Sequence, residues 1–179
     1  MQTLEDLLVS AEGGGIQNVI IALEKPVEVA TPSPARLVLD NRECRFVPHV
    51  SVLTVGSTIE AINSDALLHN VHLYGAARAN IALPSRGLRV EKTVTTPGLI
   101  VVKCDVHGWM QAFVRVDSHP FHAVTDADGH FRIPDIPAGT HDLEIWHEKL
   151  GRQQKTIRIE AGTTKHIQVE YALEGREPH

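Results

Sequence analysis

The chain has little sulfur: two cysteines, Cys44 and Cys104, and two methionines in 179 residues. Two cysteines cannot make the disulfide framework that staples small secreted scaffolds. Aromatic residues make up only 4% of the chain. Cationic residues are scarce and scattered, 17 against 22 acidic ones for a net charge of −5, which excludes the basic face a phosphate-tracking protein needs. Long apolar runs are also missing. Stretches such as 19–23 and 99–102 fall far short of the roughly 20 residues that span a bilayer.

Helical periodicity is nearly absent as well. One short candidate runs from Thr3, a capping residue, to a stop at Gly13. The opening MQTLEDLLVS is acidic and has no apolar core, so it does not read as a signal peptide.

What the chain has instead is histidine. Eleven histidines would move the net charge from −5 to +6 if all were protonated (−5 + 11). It also has many short strand-like segments bounded by Gly, Pro, Asn and Asp. A first series covers 16–23, 35–40, 50–55, 57–63, 69–74, 89–95, 99–103 and 111–117. A second covers 122–126, 130–133, 140–147, 154–160 and 164–171. Alternation such as Ile157/Ile159 is the period of half-buried antiparallel strands. The fold class expected is all-β, built from β-sandwiches.

The second series carries TDADGHFRIPDIPAGTHDLEI, a DADG turn followed by a Pro-Gly turn. This resembles the prealbumin-like (carboxypeptidase regulatory-like) sandwich. Its usual Gly-rich opening stands about a hundred residues upstream, as GGGIQNVIIAL. The expectation is a nested chain: a domain of 1–34 plus 118–179, with 35–117 inserted or, alternatively, simply joined to it.

Chemistry concentrates in CDVHGWM, which places Cys104, His107 and Met110 on one loop between two strands. Thiolate, imidazole and thioether together suit copper better than zinc, because thioether sulfur is a poor zinc ligand. A His₂Cys site with a weak axial Met needs a second histidine, and His69-Asn70 after the NSDA turn supplies one. The segment FVPHVSVLTVGSTIEAINSDALLHNV, with Phe46, Pro48, Gly56, Asn63 and the His-Asn pair, resembles the plastocyanin and amicyanin branch of the cupredoxins. The C-x2-H-x2-M loop is its short form. The resemblance covers about 36–117 and implies a Greek-key sandwich. It implies one copper per chain on His69, Cys104, His107 and Met110, with Asn70 bracing the loop. It further implies a one-electron carrier rather than an enzyme, working with a redox partner such as a cytochrome or a dehydrogenase. The setting implied is periplasmic or extracellular, with a leader taken to have been removed. No nucleic-acid partner and no membrane span are expected.

Cys44 departs from this pattern. It reads as a buried free thiol, as a disulfide partner of Cys104, or as a metal ligand. With His49, Cys104 and His107 it would make a tolerable Cys₂His₂ zinc set. A non-redox copper or zinc binding and delivery protein is therefore the second functional reading. His72 sits close to the site in sequence, and Trp109 and Phe46 are candidates for an apolar skirt around it. His119, His122 and His147 could meet where the two domains join, although surface or core positions explain each of them. No nucleophile elbow, phosphate loop or complete calcium loop is present.

Overall fold

The computed structural model describes residues 10, 14–25 and 33–171. The helix candidate from Thr3 to Gly13, Ser10 apart, and the terminal His179 lie outside the described residues, and among the described residues all regular structure is β. Thirteen strands among the described residues form three sheets. One is ordered β4(Val50–Thr54)–β10(Gln111–Asp117)–β9(Gly98–Lys103)–β6(His69–Gly75)–β7(Ala79–Leu83). The second is β3(Arg45–Val47)–β2(Arg36–Arg42)–β5(Thr58–Asn63)–β8(Arg89–Thr93). The third is β11(His122–Val124)–β1(Ile20–Leu23)–β12(Gly139–His147)–β13(Gly151–Ile159).

The first two sheets face each other across the main core. Leu39, Ile59 and Ala61 from one side meet Val71, Leu73, Ile100, Val102, Ala112 and Val114 from the other. Phe46 lies in this core, 3% exposed, so it does not form a skirt at the surface. Strand β10 shows how the layers are read from sequence. Its even residues Ala112, Val114 and Val116 enter the main core. Phe113 points the opposite way, into a second apolar layer with Val50 and Ile20. That layer joins the sandwich to the third sheet.

Strand β1 is buried along its whole length, which is why IIAL does not alternate. Ile21 and Leu23 pack on Leu143 and Ile145, while Ile20 faces Phe113 and Val50. The chain thus leaves the third sheet after β1, builds both sandwich sheets over β2–β10, and returns at β11. Gly15 makes the return possible: a Cβ there would stand 1.8 Å from the carbonyl oxygen of Asp128.

Charged groups line the same junction. Arg115 donates to Asp117 at 2.7 Å and reaches Glu144 across it, and Arg152 pairs with Glu144 at 2.8 Å and with Glu24 at 2.7 Å. Because Ile20 is 2% exposed in this apolar layer, Ile20→Val should cost about 0.5–1.5 kcal/mol. Denaturant unfolding of the full chain checks this, with an unchanged midpoint as the contrary result.

Two strands were not expected from sequence, β3 and β7, and two expected ones do not join a ladder, 130–133 and 164–171. Phe131, Ile133, Ile167, Val169 and Tyr171 nevertheless cover the outer face of the third sheet. Their alternation therefore reflects burial of one face rather than sheet pairing.

Candidate metal centre

His69 opens β6, and its place is set by the turn before it. Asn63, fully buried at the end of β5, donates to the carbonyls of Leu67 and Leu83, both at 2.8 Å. Its side-chain oxygen accepts the Asp65 N–H at 2.9 Å. Three bonds from one amide thus shape the 63–67 loop that delivers His69.

Cys104 directly follows β9, and the loop it opens is closed on itself. Met110 N–H donates to the His107 carbonyl at 2.9 Å, and Cys104 N–H to the Met110 carbonyl at 3.3 Å. Cys104 and Met110 are each 2% exposed and share the main core, while His107 is half-buried.

The two ends meet. His69 Nδ1 lies 3.1 Å from His107 Nδ1, and Cys104 Sγ lies 3.9 and 3.8 Å from these nitrogens. Donors held about 2.0–2.3 Å from one ion stand roughly 3.3–3.8 Å apart, so this triangle fits a single first-row metal. His69 Nε2 is 2.9 Å from Asp65 Oδ2, a pure acceptor when ionised. The ring proton therefore belongs on Nε2, which leaves the Nδ1 lone pair facing the triangle. Burial, followed by the neighbouring His69, lowers the proton affinity of His107, which favours the neutral, ligating form of that ring.

Asn70 ties the two ligand segments together. Its Oδ1 accepts the Asp105 N–H at 2.7 Å, and its Nδ2 donates to Asp105 Oδ2 and Asn80 Oδ1, both at 2.8 Å. His72 extends this network outward: Nδ1 lies 3.0 Å from Asp105 Oδ2, and its ring stacks on Tyr74 at 4.1 Å. His72 is thus a hydrogen-bonding partner of the Cys104 loop rather than a member of the donor triangle. Its bond is the leading reason that the Asp105 carboxyl sits below its usual range.

Asp65 is the residue the sequence did not reveal. Its Oδ1 accepts the Glu43 N–H at 2.8 Å and its Oδ2 the Cys44 N–H at 2.9 Å, in addition to the His69 contact. Glu43 and Cys44 link β2 to β3 with φ of +53° and +54°, the pattern of a type I′ turn that Asn and Gly usually occupy. The Asp65 carboxylate clamps this turn. Burial opposes its ionisation, but the Cys44 and Glu43 N–H groups, and then His69, hold its carboxyl below the ordinary range.

Cys44 is a free thiol and so is Cys104, so the disulfide alternative is not realised. Burial pushes the Cys44 thiol upward, with Asp65 and Cys104 adding to the effect. The Trp109 indole donates to the Cys44 carbonyl at 3.2 Å and lies against His107, with ring centres 5.3 Å apart.

His49 is a correction. Its Nδ1 faces the Gln111 carbonyl at 3.0 Å and its Nε2 contacts the Glu148 carboxylate. Both nitrogens are thus engaged at the junction with the third sheet, so His49 does not join Cys44, Cys104 and His107 and the Cys₂His₂ zinc set is not assembled.

The other histidines do not converge either. His119 donates to the Leu23 carbonyl, His122 pairs with Asp117, and His147 accepts the Lys149 N–H. Asp126, Asp128 and His130 do lie together on the surface. There the Asp126 carboxylate accepts the N–H groups of Asp128 and His130, as in an ordinary turn.

Fold and centre together define a β-sandwich protein with a His–Cys–His donor triangle at one end. A family model described as polysaccharide lyase family 4, domain II, matches residues 92–167. No curated protein matches the chain. Among solved structures, it is similar to the copper-containing nitrite reductase NirK from Thermus scotoductus, at 23% identity and a TM-score of 0.40. That match covers 53% of this chain and 25% of the reductase, so this chain spans about a quarter of the reductase's length. It is also similar to an amicyanin variant in its Cu(I) form, at 27% identity, 56% and 99% coverage and a TM-score of 0.41. The purple cupredoxin from Nitrosopumilus maritimus follows, at 22% identity, 46% and 99% coverage and 0.38. At such TM-scores the functional reading rests on the donor geometry and not on the likeness.

Proposed function

We propose that the chain is a type 1 copper protein of the cupredoxin kind, a one-electron carrier and not an enzyme. The observation that supports this most is the triangle of His69 Nδ1, His107 Nδ1 and Cys104 Sγ, with edges of 3.1–3.9 Å. Met110, closing the same loop, would supply a further thioether donor to the copper. Bound copper supplies one-electron exchange between Cu(II) and Cu(I).

The residues around it have separate tasks. Asp65 orients His69 and fixes its tautomer, and Asn70 locks the Cys104 loop to the His69 strand. Two packed sheets hold Cys104 and Met110 in a rigid core, which keeps the donor positions alike in both oxidation states. Leu67, Leu68, Val106 and Trp109 are exposed on the loops bearing His69 and His107. Such an apolar rim suits docking of a redox partner, a cytochrome or a dehydrogenase, at the His107 edge. An extracytoplasmic setting suits a copper thiolate site. Among the described residues no helix is long and apolar enough to cross a membrane.

A reversible one-electron titration with metal analysis in both states tests the carrier role. Copper retained at a stable potential is expected. Copper lost on reduction, or zinc bound in its place as isolated, favours the binding and delivery reading. Met110→Leu should keep copper and raise the potential, since an axial thioether tunes the metal more than it holds it. Copper release by this variant would make Met110 a primary ligand.

A further inference from the structure

His69 offers one ring edge to the donor triangle and the other to a different set of ligands. Cys44, Asp65 and His69 each place a ligand atom within 4.8 Å of the other two. They come from three segments: the β2–β3 turn, the 63–67 loop and the start of β6. Thiol, carboxylate and imidazole are the three donor types that a borderline divalent ion such as Zn²⁺ takes, with a fourth position left for water. Carboxylate in place of thioether separates this set from the softer one around Cys104 and Met110. Cys44 and Asp65 are half-buried, so two of the three donors of this group are open to an ion from solvent.

We propose that Cys44, Asp65 and the Nε2 edge of His69 form a second metal seat, for a zinc-class divalent ion, that shares the His69 ring with the copper centre. The inference depends on the copper reading only in the role given to His69. Occupation releases the Cys44 thiol proton to solvent and moves the ring proton from Nε2 to Nδ1. There His107 Nδ1, 3.1 Å away, accepts it as a hydrogen bond. With copper already on Nδ1 the Nε2 proton has no free ring nitrogen to move to and blocks the outer seat. Filling one seat therefore opposes filling the other, and the coupling is reciprocal. The outer seat would act as a zinc-sensitive check on copper loading.

The test is a Co²⁺ titration of the full-length Cys104→Ser variant, with Cys104→Ala as a second background and circular dichroism to show folding. Any intense thiolate-to-cobalt band in these proteins must come from Cys44. One Co²⁺ per chain with that band is expected, absent when Cys44→Ser is added, and at least tenfold weaker binding when Asp65→Asn is added. Folded Cys104→Ser and Cys104→Ala proteins with no such band would overturn the seat, as would cobalt affinity unmoved by Asp65→Asn. The blue colour of the wild-type copper protein is read separately, so failure of the outer seat and failure of the copper centre are distinguishable.

Discussion

Cys104→Ser is expected to abolish the intense visible band of the copper-loaded protein while leaving its circular dichroism intact. The band of a type 1 site arises from charge transfer out of the thiolate, and a serine hydroxyl cannot supply it. Cys104 is enclosed by Val102, Ala112 and the rest of the main core, so oxygen for sulfur there changes the donor and little of the packing. Cys44→Ser is the matched control. Its thiol groups with Asp65 and His69 and is not a member of the His69–Cys104–His107 triangle, and the colour should survive. Loss of colour in folded Cys44→Ser would move Cys44 into the copper centre itself.

Asp65→Asn has the second largest expected effect, a fall of roughly 10- to 100-fold in copper affinity, the scale seen when a carboxylate behind a ligating histidine is lost. The carboxylate accepts three N–H groups, from Glu43, Cys44 and His69. An asparagine offers one oxygen and, in place of the other, an NH₂ that cannot accept. At least one donor is left facing a donor, and the positive-φ turn at Glu43 and Cys44 loses part of its clamp. Copper affinity measured by competition with a chelator of known strength checks this. Unchanged affinity would mean that the tautomer of His69 is fixed by something other than Asp65.

Much of this arrangement was legible because it rests on local pattern. Alternation in β10 separates Ala112, Val114 and Val116 from Phe113 and so assigns two faces to two cores. The unbroken run of β1 marks a strand covered on both sides. Spacing in CDVHGWM puts three donors on one closed loop. What escaped depends on contacts distant in sequence. Asp65 reads as one more polar residue in a turn, and only folding brings the amides of Glu43 and Cys44 to it. His49 reads as a neighbour of Cys44, yet its ring turns to Glu148, 99 residues away. Strand β3 has three residues, too few to show a period. The alternation of 164–171 shows which side is buried without showing whether a neighbouring strand is there to pair.

Copper loading with Cu(II), followed by the visible spectrum and metal content of the same sample, tests the central claim most directly. One copper per chain with an intense thiolate-to-copper band is the expected result. A colourless protein, or one that takes up zinc and no copper, would contradict a type 1 centre built on His69, Cys104 and His107.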